Sequence, residues 1–172
     1  LTRQEQDMLR TICAAFPRTV LVLNTPGYME LGEFAQLLPA IVFMGIAGQE
    51  GGHALTDLLT GRVMPSGRLA HSWPETLAEF DEAAQALDCF NGYRWFDSFD
   101  RPVLYPFGYG LGYGKSELVS VSMGLDGCDV VVTAEVLNSG EKYPVQEVVQ
   151  VYYSNPDSEH TGAISCLDCF QK

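Results

Sequence analysis

Apolar positions in the first part of the chain follow a helical period and then a strand period. Met8, Leu9, Ile12, Cys13 and Phe16 form one stripe behind Thr2, Arg3, Gln4 and Glu5, a capping-box pattern, and Pro17 ends the segment. Thr19–Asn24 (TVLVLN) is continuously apolar and β-branched, which predicts a strand buried on both faces. Thr25, Pro26 and Gly27 break it; Leu31–Leu38 reads as a short helix and Ala40–Met44 as a second buried strand. The glycine-rich loop GIAGQEGG (Gly45–Gly52) opens a helix with Ala54, Leu55, Leu58 and Leu59 on one side and Gly61 at its C-terminal end. MPSGR is a turn, and Leu69–Trp73 is the candidate for a third strand. Helices alternating with strands in this way imply a parallel sheet with helices on its faces, and three strands make only part of such a sheet.

After Glu75 the pattern changes. ETLAEFDEAAQALDCF is acidic and alanine-rich, a loose helix or surface loop, and is followed by the aromatic run FNGYRWFDSF. Past Lys115 the period is two: Val119, Val121 and Met123 alternate with Ser120 and Ser122. Asp126 and Gly127 signal a hairpin, Val130–Leu137 pairs back, Asn138–Gly140 turns again, and Glu147–Tyr153 is a further strand. This is the beginning of an antiparallel β-sandwich, which needs about seven strands. The expected architecture is therefore α/β, a partial parallel-sheet layer followed by a partial antiparallel sandwich.

Between the two patterns lies VLYPFGYGLGYG, which interleaves Tyr105, Phe107, Tyr109 and Tyr113 with Gly108, Gly110, Gly112 and Gly114. Aromatics seek burial, and glycines let a backbone turn or lie close to a neighbour. The stretch reads as a seam between two structural units; the competing reading is a platform for stacking sugar rings.

Composition narrows the function more than the fold. Ten Lys and Arg stand against 22 Asp and Glu in 172 residues, a net charge of −12. Such a surface disfavours nucleic acid and anionic membranes and suits a neutral ligand. The longest apolar runs are far shorter than a bilayer span. No secretory or transit segment is seen, so a cytoplasmic and bacterial setting is expected, a leader upstream of the sequence aside. The five cysteines, Cys13, Cys89, Cys128, Cys166 and Cys169, are an odd count that points to reduced thiols. Cys166 and Cys169 form a lone CxxC, and His53, His71 and His160 stand at no spacing that would complete a zinc site, so neither metal nor cofactor is expected.

Candidate chemistry is sparse. GIAGQEGG follows a strand and opens a helix, the place where open α/β folds bind ligands. It lacks the Lys of a phosphate-binding P-loop and the spacing of a dinucleotide fingerprint. Glu50 is the one candidate ligand-contacting residue; the competing reading is a structural one, a carboxylate favoured by the helix dipole. There is no GxSxG elbow, Ser66 sits in a turn, and no spacing singles out a carboxylate pair for glycoside hydrolysis.

Several segments recur together in one order: VLVLNTPGYMEL, AIVFMGIAGQEGGHALTDLLTGRVMPSGRLAHSWP, NGYRWFDSF, VLYPFGYGLGYGKSEL, VLNSGEKYPVQEVVQVYY and CLDCFQK. Across nearly the whole chain they resemble glycoside hydrolase family 3, the β-glucosidase and β-xylosidase family. The resemblance implies an enzyme built of a (β/α)8 barrel, an α/β sandwich domain and a fibronectin type III-like domain. Residues 1–100 would be the later part of the α/β sandwich, 101–116 the connection, and 117–172 the start of the fibronectin-like domain. It implies retaining hydrolysis of a β-linked glucoside or xyloside, with an Asp nucleophile on the barrel and a Glu acid/base on the sandwich domain. That Glu would precede the segment matching Leu1, so neither catalytic carboxylate falls on a position of this chain. The chain is then expected to be a non-catalytic part of a β-glycosidase, marginally stable alone and supported by the barrel or by self-association. The alternative is a standalone carbohydrate-binding or interaction module without a barrel.

Overall fold

The computed structural model describes residues 1–85, 90–140, 143–154 and 166–172; Cys89 and His160 lie outside them. Helix α1 (Arg3–Ala15) begins with the expected capping box, in which the Thr2 hydroxyl accepts from the Glu5 N–H and the Glu5 carboxylate accepts from the Thr2 N–H. Strands β1 (Val20–Leu23) and β2 (Ala40–Phe43) pair in parallel, Val20 opposite Ala40 and Leu23 opposite Phe43, with the short helix α2 (Phe34–Leu37) between them. Helix α3 (Gly51–Leu59) follows β2; α4 (Leu77–Gln85) and α5 (Tyr93–Ser98) follow in turn.

The core lies on one side of this pair. Leu9, Phe34 and Leu38 form one buried cluster and Leu23, Leu31 and Trp73 a second; Leu21 and Ile41 pack against both. Alternation within a strand puts Leu21 and Leu23 on one face and Val20 and Val22 on the other. Val20 is 43% exposed, so β1 is not buried on both faces as its composition suggests. Branched apolar side chains announce burial but not how many sides supply it. Helix α3 likewise buries no residue.

The segment Leu69–Trp73 does not extend the parallel sheet. Its backbone instead pairs antiparallel with the aromatic–glycine stretch. Trp73 N–H donates to Tyr105 O at 2.7 Å, Leu69 N–H to Tyr109 O at 2.9 Å and Gly108 N–H to Leu69 O at 2.8 Å. Trp73 itself is sealed, with its indole N–H donated to Met29 O at 3.0 Å.

The later part of the chain forms two antiparallel ribbons. Strands β3 (Ser116–Asp126) and β4 (Asp129–Asn138) make a long hairpin with a bulge between Leu118 and Ser120. Strand β5 (Val149–Tyr153) pairs with β6 (Cys166–Gln171). The CLDCFQ segment is thus a strand, because Val149–Tyr153 offers it a partner that no local pattern reveals.

Candidate functional site

Two places gather polar side chains from distant parts of the sequence. The first is the carboxyl end of the β1–β2 pair, where the loops after Leu23 and Phe43 emerge; in open α/β sheets ligands bind outside that end. The loop after β1 carries Tyr28, Glu30 and Glu33. Glu30 accepts from the Leu77 N–H at 2.9 Å, holding the start of α4, and Glu33 pairs with Arg10 of α1 at 2.6 Å. A hollow of about 570 Å³ opens here between Leu1, Tyr28, Glu30, Glu33, Phe34 and Leu77. The Tyr28 hydroxyl lies 3.2 Å from Pro74 O, and burial, reinforced by Glu30 and Glu79, pushes its ionisation well above the usual phenol range.

The loop after β2 carries Glu50. It occupies the N-cap position of α3 without a side-chain capping bond, and its carboxylate meets His53 Nδ1 at 2.6 Å. Both side chains are more than four-fifths exposed, at 82% and 86%. The sequence places Glu50 at this turn correctly, and the structure adds His53 as its partner. Ser66, in the expected turn, receives a hydrogen bond from Lys172 Nζ at 2.9 Å. His71 is enclosed by the rings of Phe43, Trp73 and Phe80, and its Nε2 has no hydrogen-bond partner among the described residues. Burial pulls its ionisation below the ordinary imidazole value. Among the described residues no three His, Cys, Asp or Glu side chains form a metal-binding group, and Cys13, Cys128, Cys166 and Cys169 are unpaired thiols.

The second place is the seam around the aromatic–glycine stretch. Its aromatics anchor it: Phe107 stacks on Tyr93 with ring centroids 4.8 Å apart, Tyr105 on Tyr109 at 5.0 Å, and the Tyr113 hydroxyl donates to Leu58 O at 2.9 Å. Its glycines admit neighbours. A Cβ on Gly110 would lie 2.5 Å from Gly67 O, and one on Gly114 2.5 Å from Val145 Cγ2. The alternation of largest and smallest residues is therefore explained by a strip threaded between the 64–68 turn and the strands that follow. Across it, Arg68 donates to Gly110 O and to Glu147, whose other oxygen accepts from Ser116. No sequence spacing flags this contact, because Arg68 and Glu147 are 79 residues apart.

A profile of the glycosyl hydrolase family 3 C-terminal domain matches residues 1–113. The chain belongs to this family. Among its family 3 relatives, a β-glucosidase of Kluyveromyces marxianus is 32% identical over all of the chain, which covers 21% of that protein. An exo-α-(1→6)-L-arabinopyranosidase of Bifidobacterium longum is 33% identical over 84% of the chain and 20% of its own length. The solved structure of β-glucosidase 3B from Thermotoga neapolitana, in complex with glycerol, superposes with a TM-score of 0.92 at 28% identity, over 99% of the chain and 26% of that protein. The chain thus spans about a fifth of the length of the curated family 3 proteins it matches. The family likeness bears out the order of a parallel α/β layer followed by antiparallel, fibronectin type III-like strands. Among the described residues no helix is long and apolar enough to cross a membrane.

Proposed function

We propose that the chain is part of a retaining β-glycosidase of the β-glucosidase type, acting on a terminal β-linked glucoside or xyloside, and is not catalytic by itself. The observation that carries this reading is the end-to-end match to β-glucosidases of which the chain forms about a fifth. A retaining glycosidase needs two carboxyl groups about 5 Å apart across the scissile bond. The carboxylates at the sheet's carboxyl end are engaged separately, Glu30 by the Leu77 N–H, Glu33 by Arg10 and Glu50 by His53. A nucleophile on a barrel and an acid/base upstream of Leu1 would complete the site.

The division at 1–100, 101–116 and 117–172 belongs to the same proposal. The family profile ends at residue 113, inside the stretch assigned as the connection. The strongly acidic surface suits a neutral sugar, and the free thiols suit a reducing, cytoplasmic compartment. Glu50 would shape the turn into α3 and hold His53 rather than take part in bond cleavage.

The test is a transplant. This chain replaces the matching segment of the Kluyveromyces marxianus β-glucosidase, and both the chimera and the isolated chain are assayed on aryl β-glucosides, β-xylosides and α-arabinopyranosides. The expected outcome is no turnover by the isolated chain and β-glucosidase turnover by the chimera, with kcat unchanged by Glu50→Gln. A folded chimera without turnover, or an isolated chain that turns over, would overturn the reading.

A further inference from the structure

Arg68, Glu147 and Ser116 meet at the seam from three different segments. Arg68 ends the 64–68 turn of the α/β layer, Ser116 begins β3, and Glu147 precedes β5. The guanidinium spends one nitrogen on Gly110 O, in the glycine-rich strip, and another on Glu147 Oε1. That oxygen also accepts from the Val148 N–H at 3.0 Å, and Oε2 accepts from the Ser116 hydroxyl. Four segments are therefore fastened through one carboxylate and one guanidinium.

The pair is neither sealed nor loose: the Arg68 side chain is 19% exposed and that of Glu147 32%. A charge-assisted hydrogen bond of this kind is stronger than a neutral one. A cleft of about 480 Å³ alongside, lined by Met64, Leu111, Lys115 and Glu117 among others, leaves the cluster next to water. Further polar contacts join these parts, among them Leu167 N–H to the Tyr93 hydroxyl at 2.7 Å, Lys172 to Ser66 at 2.9 Å and Arg94 to Cys166. Beside the cluster runs a strip with glycine at 108, 110, 112 and 114, the residue type that most readily absorbs backbone rotation once its contacts, Gly108 N–H to Leu69 O and Gly110 O to Arg68 among them, are released.

We propose that the Arg68–Glu147–Ser116 cluster is a latch and the Gly108–Gly114 strip the hinge it locks, so that opening the latch releases the β ribbons while the α/β layer stays folded. The proposal concerns coupling between the two parts and is independent of any assigned substrate. Its chemistry is consistent with a charged carboxylate: the Ser116 hydroxyl first, then the Val148 N–H and Arg68, hold Glu147 below the ordinary carboxylate range. Arg68 from the turn, Lys115 and Glu117 are the charged groups that share the cleft with it. The latch is accordingly closed at neutral pH and weakens only as pH falls below the usual carboxylate value.

Hydrogen exchange on the full chain at neutral pH, read by mass spectrometry, tests this. Arg68→Gln should speed exchange in Val149–Tyr153 and Cys166–Gln171 by about tenfold or more, with Val20–Leu23 and Ala40–Phe43 unchanged. Glu147→Gln should act in the same direction and more weakly, because its amide still offers an acceptor. Arg68→Lys should be intermediate, as an ammonium keeps the charge but not the two fixed nitrogens that reach Gly110 O and Glu147 together. The exchanged pair Arg68→Glu with Glu147→Arg should recover part of the protection. Unchanged exchange in the single variants, or equal loss of protection in both parts, would overturn the latch. The second result would mean that Arg68 serves one cooperative core.

Discussion

The β1–β2 layer and the β3–β4 hairpin each turn an apolar face outward from the backbone, and the two faces meet opposite fates. In the layer, Leu23 is 4% and Phe34 1% exposed. In the hairpin, register puts Val121, Met123, Leu125, Val130 and Val132 on one face, with Ser120, Ser122, Thr133 and Glu135 on the other. That apolar face is open, with Met123 77% and Leu125 80% exposed. The hairpin has the alternation of a half-buried sheet but nothing lies over it among the described residues. The contrast teaches that alternation sets which face is meant for burial, and tertiary packing alone decides whether burial happens.

The sharpest way to break this comparison is to remove the same kind of side chain from each region. Phe34→Ala should cost about 3–5 kcal/mol, the range for emptying a packed aromatic site. Leu125→Ala should change stability by less than about 0.5 kcal/mol, as at other exposed positions. Urea unfolding midpoints of the two variants provide the check. Equal costs would mean that the hairpin face is covered in solution.

A second pair of substitutions uses glycines. Gly110→Ala drives a methyl to within 2.5 Å of Gly67 O and 3.0 Å of Arg68 Cδ, on the strip that binds the two regions together. It should cost about 1–3 kcal/mol, the range for overpacking. Gly124→Ala, in the hairpin, meets nothing within 4 Å and should be neutral or slightly stabilising, by about 0.5 kcal/mol. Thermal melts of both variants, measured side by side, separate a glycine required by close approach from one that is not.

What the sequence makes legible is local. The capping box at Thr2 and Glu5, the strands at Val20–Leu23 and Ala40–Phe43, and the hairpin around Asp126 all follow from period and turn chemistry within a short window. What it leaves hidden is long-range pairing. Leu69–Trp73 has the composition of a third parallel strand, yet Tyr105 and Tyr109 reach its backbone first. Cys166–Gln171 is not legible as a strand from its own residues, because what makes it one is its pairing with β5. Glu50 is visible through its loop motif, whereas Arg68 with Glu147 is invisible, since neither residue is unusual until the fold joins them.

A smaller effect separates the regions by pH. His71 is lodged among Phe43, Trp73 and Phe80, and burial lowers its ionisation from an ordinary value of 6.5. The unfolded chain therefore binds this proton more readily than the folded one, so stability is whole above about pH 6.5 and declines as pH falls below it. The melting temperature should drop by a few degrees between pH 7 and pH 5.5. His71→Phe should flatten that slope while keeping a ring in the cluster. Peptides from the hairpin, which has no histidine, should show no change in intrinsic protection over the same range.

The smallest expected effect on stability falls on the hairpin's open face. Val121 and Val130 are 57% and 60% exposed and lie on the face shared with Met123 and Leu125. Replacing both by Thr retains β-branching, and with it strand propensity, while making the face more polar. Unfolding midpoints should move by less than about 0.5 kcal/mol, because no packed contact is lost. Association should respond instead. An apolar sheet face of this size drives self-association when nothing else covers it, so the sedimentation coefficient of the unaltered chain should rise with concentration and that of the double variant should not. A coefficient independent of concentration in both proteins would show that the face does not drive association. A large loss of stability in the variant would show that these valines are packed, and the two regions would then differ less than their exposures indicate.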